Sequence, residues 1–356
     1  MKPVVMISFE QGGQNGGPYV SHERIARSSL SDCYDFVPLV IPKGRRGLVN
    51  PRLVRCLLRQ IRATNPDLVH VHGLQLVGFH VSLAAFLARK PIVLGVHGSS
   101  SEALEFPKWK QLVVARAEAL TVSMATKLFT VSEYVAKWPK LRSESPRFAG
   151  VVANLPPVLA RRMSDSGIRE ELGISQGDIV VVSTGRVTRE KGFMVLLDAI
   201  RRLGAREGVK YIVAGDGALL SDLRRRIEES GLESCVFLLG YRSDIMEILR
   251  ESDVFVLCSF HETFSMSLVE AGFAGLPAVA PDVGGVPEVI EQDHNGLLVR
   301  PGDVEGVVQA LERLIYDEQY RLTLGINASR RAVERFSEGP ILKSLHAIYS
   351  SVLNGV

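Results

Sequence analysis

Cysteine is scarce in this chain of 356 residues. Only Cys33, Cys56, Cys235 and Cys258 occur, scattered and without a Cys-x-x-Cys pair. Thiols in that pattern read as small buried hydrophobes in a reducing cytosol, and they exclude a disulfide framework or a cysteine zinc site. Long apolar runs are missing as well. The longest candidate, Leu74 to Ala88, carries His80 and falls short of the roughly 18 residues that a membrane-spanning helix needs. The N-terminus runs straight into the strand-like segment Val4 to Phe9, without the apolar core or small-residue cleavage site of a secretory signal. No single sign of charge dominates, because 42 basic and 39 acidic residues leave a net of +3. That is too near balance for a chain that binds nucleic acid along its whole surface. Glycine (32) and proline (17) stand near average usage, which excludes collagen-like and low-complexity readings. What remains is a cytoplasmic, globular chain with 46% hydrophobic residues, long enough for two domains.

The balanced total hides two unlike halves. Residues 1–150 hold 20 Lys and Arg against 10 Asp and Glu, a net of +10; residues 151–356 hold 22 against 29, a net of −7. Short apolar runs alternate with amphipathic stretches throughout both. The first half shows strand-like runs at Val4–Phe9, Phe36–Ile41, Leu68–His72, Ile92–His97 and Lys127–Ser132. The second shows them at Ile179–Thr184, Tyr211–Ala214, Val236–Leu239, Val254–Ser259, Ala278–Pro281 and Leu297–Val299. Continuous apolar strands separated by helices predict parallel sheets covered on both faces. The alternation breaks near Asn154-Leu155-Pro156-Pro157, the natural place for a linker. The reading is α/β, two Rossmann-like doubly wound domains: residues 1–155, residues 156–335, and a C-terminal segment 336–356 of one or two helices. Ligands of such sheets lie beyond the carboxyl ends of the strands, here in an expected cleft between domains.

Four glycine-bearing corners sit at those strand ends. Gly185-Arg186-Val187-Thr188-Arg189-Glu190-Lys191-Gly192 follows one strand and opens a helix at Phe193. Backbone N–H groups at a helix start, with Arg186 and Lys191 beside them, suit an anion. A solvated charged turn fits the same residues, and the loop is not a Walker loop, since Lys191 precedes the last glycine. His261-Glu262-Thr263-Phe264-Ser265-Met266-Ser267-Leu268-Val269-Glu270 follows another strand, with Ser265 placed to cap the helix that begins near Met266. Glu270 lies in a helix apolar nearly all round, where a carboxylate needs a partner to offset desolvation. Carboxylates here can accept the hydroxyls of a ribose or a sugar. Gly215-Asp216-Gly217, Gly240-Tyr241-Arg242 and Gly284-Gly285-Val286-Pro287-Glu288 complete the set; each allows close backbone approach or a tight turn.

In order, GRVTREKG, VAGDG, FLLGYRSD, HETFSMSLVE, AGLPAVAPDVGGVPEVI and NGLLVRPGD resemble glycosyltransferase family 4, retaining enzymes of GT-B fold, almost continuously from Ile179 to Asp303. The resemblance implies that Arg186 and Lys191 hold the diphosphate of a UDP- or GDP-sugar, with Gly215 at the neighbouring corner. It implies that Glu270 binds the ribose and that the loop at Tyr241 and Arg242 frames the base. Glu262 and the backbone of Phe264, Ser265 and Met266 would touch the transferred sugar and the distal phosphate. In the first half, Gly16-Gly17 would let the domain approach the phosphates; Gly12-Gly13 nearby competes for that assignment. His97 resembles the family's histidine beside the donor sugar. The resemblance implies no metal and no cofactor, and the sequence holds no Asp-x-Asp metal motif. It further implies a C-terminal helix crossing back to the first domain. Leu155 stands where the family often has glycine after the asparagine, here Asn154.

Basic residues of the first half concentrate at Lys43-Gly44-Arg45-Arg46 and at Arg52, Arg55, Arg59 and Arg62, the last four at helical spacing on one face. The stripe suits an anionic membrane surface or a polyprenyl-diphosphate-linked acceptor, or forms an ordinary solvated helix face. Nucleic acid is disfavoured because aromatic residues are not interleaved with the charges. His70 and His72 alternate on one strand; the pattern places His70 in the core and His72 at the strand's mouth rather than on a metal. The expected function is metal-independent transfer, with retention, of a hexose-type sugar from a nucleotide sugar to a glycan or lipid-linked acceptor, in surface polysaccharide biosynthesis. The alternatives are a nucleotide-sugar epimerase of the same fold and a non-catalytic sugar-nucleotide binding protein.

Overall fold

The computed structural model describes residues 1–10, 17–42, 50–99, 108–157 and 167–355, with the backbone alone at 10, 17–20 and 108. The chain divides into two compact units: Met1–Leu155 with Glu338–Val356, and Pro156–Ser337.

Unit 1 is built on β1 (Val4–Glu10), β2 (Asp35–Ile41), β3 (Leu68–His72), β4 (Ile92–Val96), β5 (Lys127–Thr130) and β6 (Phe148–Val151). They form one parallel sheet in the order β2-β1-β3-β4-β5-β6. The sequence reading had no β6. It is four residues long, its register against β5 is irregular, and Gly150 adopts φ +103°, so it carries little strand signal. On one face, the helix Pro51–Thr64 packs beside Leu76–Leu87, which packs beside Lys108–Met124. Asn50 starts the first of these by accepting from Leu53 N at 3.1 Å, and proline occupies its first turn. Leu53, Val54, Leu57 and Ile61 turn inward, while Arg52, Arg55, Arg59 and Arg62 are exposed. The opposite face is sealed by the helix Glu338–Leu353, whose Ile341, Leu345, Ile348 and Tyr349 pack with Val5, Ile7, Leu68 and Val93. Each such side chain, fully buried, contributes about 1.5–3 kcal/mol.

Unit 2 holds β7 (Ile179–Thr184), β8 (Val209–Ala214), β9 (Val236–Gly240), β10 (Val254–Val256), β11 (Ala278–Pro281) and β12 (Gly296–Val299). Their order is β12-β11-β10-β7-β8-β9, again all parallel. Chain order reverses between β7 and β10, the position at the carboxyl edge where sheets of this kind place their ligands. The long helix Glu318–Phe336 had no counterpart in the sequence reading. It buries Arg321, Leu324, Gly325, Ala328, Ala332 and Phe336, so small residues fill the middle of its inner stripe while Leu322, Ile326 and Val333 are exposed, which hides its period. Small residues are what its packing requires. A Cβ on Gly325 would lie 2.5 Å from the Gly275 carbonyl oxygen, and one on Gly272 would lie 3.1 Å from the Ala332 Cβ.

Candidate functional site

The two strands at the chain reversal of unit 2 carry the loops that the sequence singled out. After β7, residues 185–192 are pinned from both sides. Val187 N donates to the Asp216 carbonyl at 2.9 Å, and Leu219 N donates to the Val187 carbonyl at 3.0 Å. A side chain on Gly215 would fall on the Gly185 carbonyl, and one on Gly217 would come 2.5 Å from the Val187 carbonyl oxygen. Gly215 therefore serves by backing the loop. On the other side Phe260 N donates to the Glu190 carbonyl at 2.8 Å. Gly192 combines φ +67° with a Cβ direction blocked by the Cys258 carbonyl, so no other residue fits there without strain. Arg189–Lys191 form one tight turn that delivers the lysine inward; Arg186 stays exposed.

Lys191 Nζ meets Glu262 Oε1 at 2.6 Å, although 71 positions separate them in the chain. Ser259 Oγ donates to the same oxygen at 2.8 Å. Ser259 is wholly buried and Glu262 nearly so. A buried carboxylate held by one ammonium and one hydroxyl is a compensated charge, and it fixes the lysine's position in turn. Gly285 N donates to the Glu262 carbonyl at 3.1 Å, tying the glycine pair before Val286 to this loop. Phe264 is buried edge-on against Phe336, with ring centroids 5.5 Å apart. Ser265 occupies the cap position of the helix Met266–Phe273, but its hydroxyl pairs with Ser267 Oγ at 3.0 Å and does not cap. The expected side-chain cap is absent because the neighbouring serine captures the hydroxyl, and the first-turn N–H groups at Met266 are not closed by it. Glu270 lies half-buried one turn further on, in a helix braced from behind by Glu318–Phe336.

Tyr241 and Arg242 follow Gly240, which turns the chain at φ +66° after the edge strand β9. The Tyr241 ring is 56% exposed and able to stack on a planar ligand. Arg242 is already engaged: it donates to Asp244 at 2.6 and 2.9 Å and to Glu171 at 2.9 and 3.1 Å. These carboxylates hold its guanidinium above its ordinary pKa, and the arginine holds the Asp244 carboxyl below its own. Its visible work is to clamp the Tyr241 loop onto the short helix Ile168–Glu171.

In unit 1, Gly17 opens the helix Gly17–Arg27. Gly12, Gly13, Gly16 and the cluster Lys43, Gly44, Arg45 and Arg46 lie outside the described residues. His97 follows β4. Burial pushes its imidazole down to about 4, against a hydrogen bond to the Asn154 side chain that acts the other way. His70 is buried in the core and His72 half-buried at the end of β3. Two residues past His97, Ser99 Oγ donates to Glu118 at 2.7 and 2.9 Å, and Lys140 Nζ reaches Glu118 at 2.7 Å and Ser99 at 2.6 Å. Glu118 is 1% exposed. This clasp escaped the sequence reading because its members come from three elements, and only the apolar neighbours of Glu118 hint that it is buried. Among the described residues no three His, Cys, Asp or Glu side chains gather as a metal site, and no helix is long and apolar enough to cross a membrane.

Residues 165–331 match the family model described as glycosyl transferases group 1, and residues 8–140 match that of glycosyltransferase family 4. The chain belongs to glycosyltransferase family 4. This glycosyltransferase is 28% identical over 186 residues to the N-acetyl-alpha-D-glucosaminyl L-malate synthase of Bacillus anthracis, covering 52% of this chain and 49% of that one. The match thus spans about half the length of that relative. A second relative is 26% identical over 290 residues, 79% of this chain and 74% of its own: the Escherichia coli UDP-Gal:alpha-D-GlcNAc-diphosphoundecaprenol alpha-1,3-galactosyltransferase. Anabaena HepE, solved in complex with UDP and glucose, superposes with a TM-score of 0.81 at 22% identity, over 98% of this chain and 100% of that one. That likeness shows the fold, GT-B, with its two α/β units. Within the glycosyltransferase, Ser259, Gly192 and the Glu190–Phe260 backbone bond are the members of the unit 2 site whose roles the motif strings did not reveal. Their signal is positional: each sits where the loops after β7 and β10 touch.

Proposed function

We propose that this glycosyltransferase moves a hexose-type sugar from a UDP- or GDP-sugar to a glycan or polyprenyl-diphosphate-linked acceptor, with retention of anomeric configuration and without a metal ion. The observation that carries the reading is the 2.6 Å pair of Lys191 and Glu262 at the chain reversal of the unit 2 sheet, beside the uncapped start of the helix that bears Glu270. Lys191 and the exposed Arg186 would neutralise the leaving diphosphate, and the N–H groups near Ser265 and Met266 would add the helix dipole. Glu270 would accept the ribose hydroxyls, and Tyr241 would cover the base. Glu262, with Oε1 held by Lys191 and Ser259, would turn Oε2 to a hydroxyl of the sugar. His97 in unit 1 would serve the transferred sugar as a neutral imidazole.

In the proposed step the acceptor oxygen forms the new bond to the anomeric carbon as the carbon–phosphate oxygen bond breaks. The acceptor proton passes to the departing diphosphate on the same face, which keeps the configuration. The complexes of HepE with UDP-glucose and with UDP support a nucleotide-sugar donor. Incubating the enzyme with UDP- and GDP-hexoses and a lipid-diphosphate glycan, with and without a chelator, tests the whole reading. Proton NMR of the product's anomeric centre should show the donor's configuration and an unchanged rate with chelator. An inverted product or a metal requirement overturns those parts, and an epimerised donor without transfer overturns the reaction itself.

A lipid-linked acceptor fits the surface of unit 1, in a pathway of surface polysaccharide assembly. Arg52, Arg55, Arg59 and Arg62 project from one helix, and exposed Trp109, Leu112 and Leu120 project from Lys108–Met124 in the same layer. Basic residues on one helix and exposed aromatic and aliphatic ones on another, with Leu76–Leu87 between them, suit an anionic lipid surface. The Escherichia coli relative, by its name, takes a diphosphoundecaprenol-linked acceptor. Co-sedimentation with phosphatidylglycerol vesicles, and none with phosphatidylcholine vesicles, is the expected result; equal behaviour with both removes the membrane part.

A further inference from the structure

Three histidines of unit 1, two on β3 and one just past β4, form a pile of which the proposed chemistry uses only His97. The rings of His70 and His72 stack with centroids 4.3 Å apart and 20° between planes, and those of His72 and His97 stack at 5.1 Å and 22°. Both ends are tied. His70 Nδ1 is 2.7 Å from the Tyr349 hydroxyl on the helix Glu338–Leu353, and His97 is hydrogen-bonded to the Asn154 side chain. Room for the pile is made by Gly95 in β4. A Cβ there would lie 2.8 Å from Phe129 Cζ, 3.1 Å from His97 Nε2 and 3.3 Å from His70 Nε2. The middle ring, His72, has both nitrogens buried and, among the described residues, without a hydrogen-bond partner. Forgoing those bonds is costly, and an ordinary packing role would be met better by an aliphatic side chain.

We infer that His72 is the positioning residue for His97: its flat ring, clamped between two others, sets the plane and height of the His97 imidazole at the end of β4. The stacked His72 ring restricts tilting of the His97 ring. A fixed ring delivers its hydrogen bond to a ligand without first losing side-chain freedom. The inference rests on the reading of His97 as the residue that serves the transferred sugar.

Three variants test it and separate its failure from that of the underlying reading. His97→Ala should abolish transfer; retained transfer sinks the reading of His97, and this inference with it. Given that loss, His72→Leu should lower kcat by about tenfold to a hundredfold with the donor KM within about twofold, since misplacement acts on the step and not on nucleotide binding. His72→Phe, which keeps a flat ring, should recover most of kcat. Wild-type kcat in His72→Leu, or equal losses in the leucine and phenylalanine variants, overturns the inference while leaving His97 in place. Should His72→Leu not fold, histidine-selective carbon–proton NMR of the unaltered protein decides. Ring-proton signals of His97 displaced upfield by a stacked neighbour, and constant between about pH 5 and 8, are expected. A His97 signal at ordinary shifts that titrates in that range overturns it.

Discussion

Lys191 and Glu262 meet at 2.6 Å in unit 2, and the carboxylate oxygen they share with Ser259 is the most enclosed charge at the candidate donor site. The pair makes the lysine's placement independent of any ligand. A diphosphate bound as proposed would therefore find a cation already fixed, whose hydrogen bond to Glu262 need only be shared. Lys191→Ala should lower kcat/KM for transfer at least about a hundredfold, the scale of one lost electrostatic donor. It should also lower stability by about 1–3 kcal/mol, because Glu262 is left with Ser259 alone. Adding Glu262→Gln to Lys191→Ala should restore most of the stability and none of the activity. Kinetics with denaturant titration check both, and a stability loss that the second change does not relieve contradicts the pairing.

Gly192 is the second point of leverage. Its φ of +67° and the Cys258 carbonyl in its Cβ direction mean that Gly192→Ala must move the start of the helix Phe193–Leu203 away from the β10 loop. Left-handed strain alone costs about 1–2 kcal/mol, with the clash in addition. The expected variant melts lower than wild type and loses transfer more than it loses stability, since the turn that carries Lys191 shifts. Thermal melting and an activity assay below the melting point measure the two effects; a variant normal in both contradicts the pinned-loop geometry.

Acid should loosen unit 1. Burial lowers His70 to about 3 and His97 to about 4, and lowers His72 well below the ordinary 6.5. In the pH range beneath 6.5 the unfolded chain binds protons that the folded unit refuses, so stability is complete above 6.5 and falls as pH drops toward 4. Each histidine contributes a slope of about 1.4 kcal/mol per pH unit within its window. Melting temperature should therefore fall steeply between about pH 6.5 and 5, and less steeply in His72→Phe. A profile flat across that interval contradicts the buried neutral pile.

The clasp after His97 gives a stability prediction of its own. Lys140→Ala removes the 2.7 Å ion pair of the 1%-exposed Glu118, and breaking a buried pair costs about 3–5 kcal/mol. Lys140→Ala combined with Glu118→Gln should recover part of that loss by removing the buried charge. Chemical denaturation measures both, and an unaltered Lys140→Ala midpoint shows that Glu118 finds another partner.

Strands and motifs were legible where chemistry and period coincide. Ile179–Thr184 and Ala278–Pro281 stand at the bounds read from apolar runs, and a helix opens at Phe193 after the flanking Gly192. Glu318–Phe336 was hidden because small Gly325, Ala328 and Ala332 separate its buried Leu324 and Phe336, while Leu322, Ile326 and Val333 face outward. The corners were visible as glycines, but not which role each glycine plays. Gly215 faces a carbonyl of the neighbouring loop, a fact of the third dimension. Glu262 could be singled out as a carboxylate beside a helix start. That its partner is Lys191, far away in sequence, follows only from the adjacency of β7 and β10 in the sheet. Tertiary pairing, including the histidine pile and the Arg242 clamp, is invisible to local pattern for the same reason.

As proposed, unit 2 grips a nucleoside diphosphate through Lys191 and Glu270. Titration calorimetry of the full chain with UDP and with GDP measures that grip directly. Saturable binding of at least one of them is expected, weakened by about tenfold or more in Lys191→Ala and again in Glu270→Gln, each loss matching one charge-assisted hydrogen bond. Binding of neither nucleotide to wild type, or undiminished affinity in both variants, would contradict it.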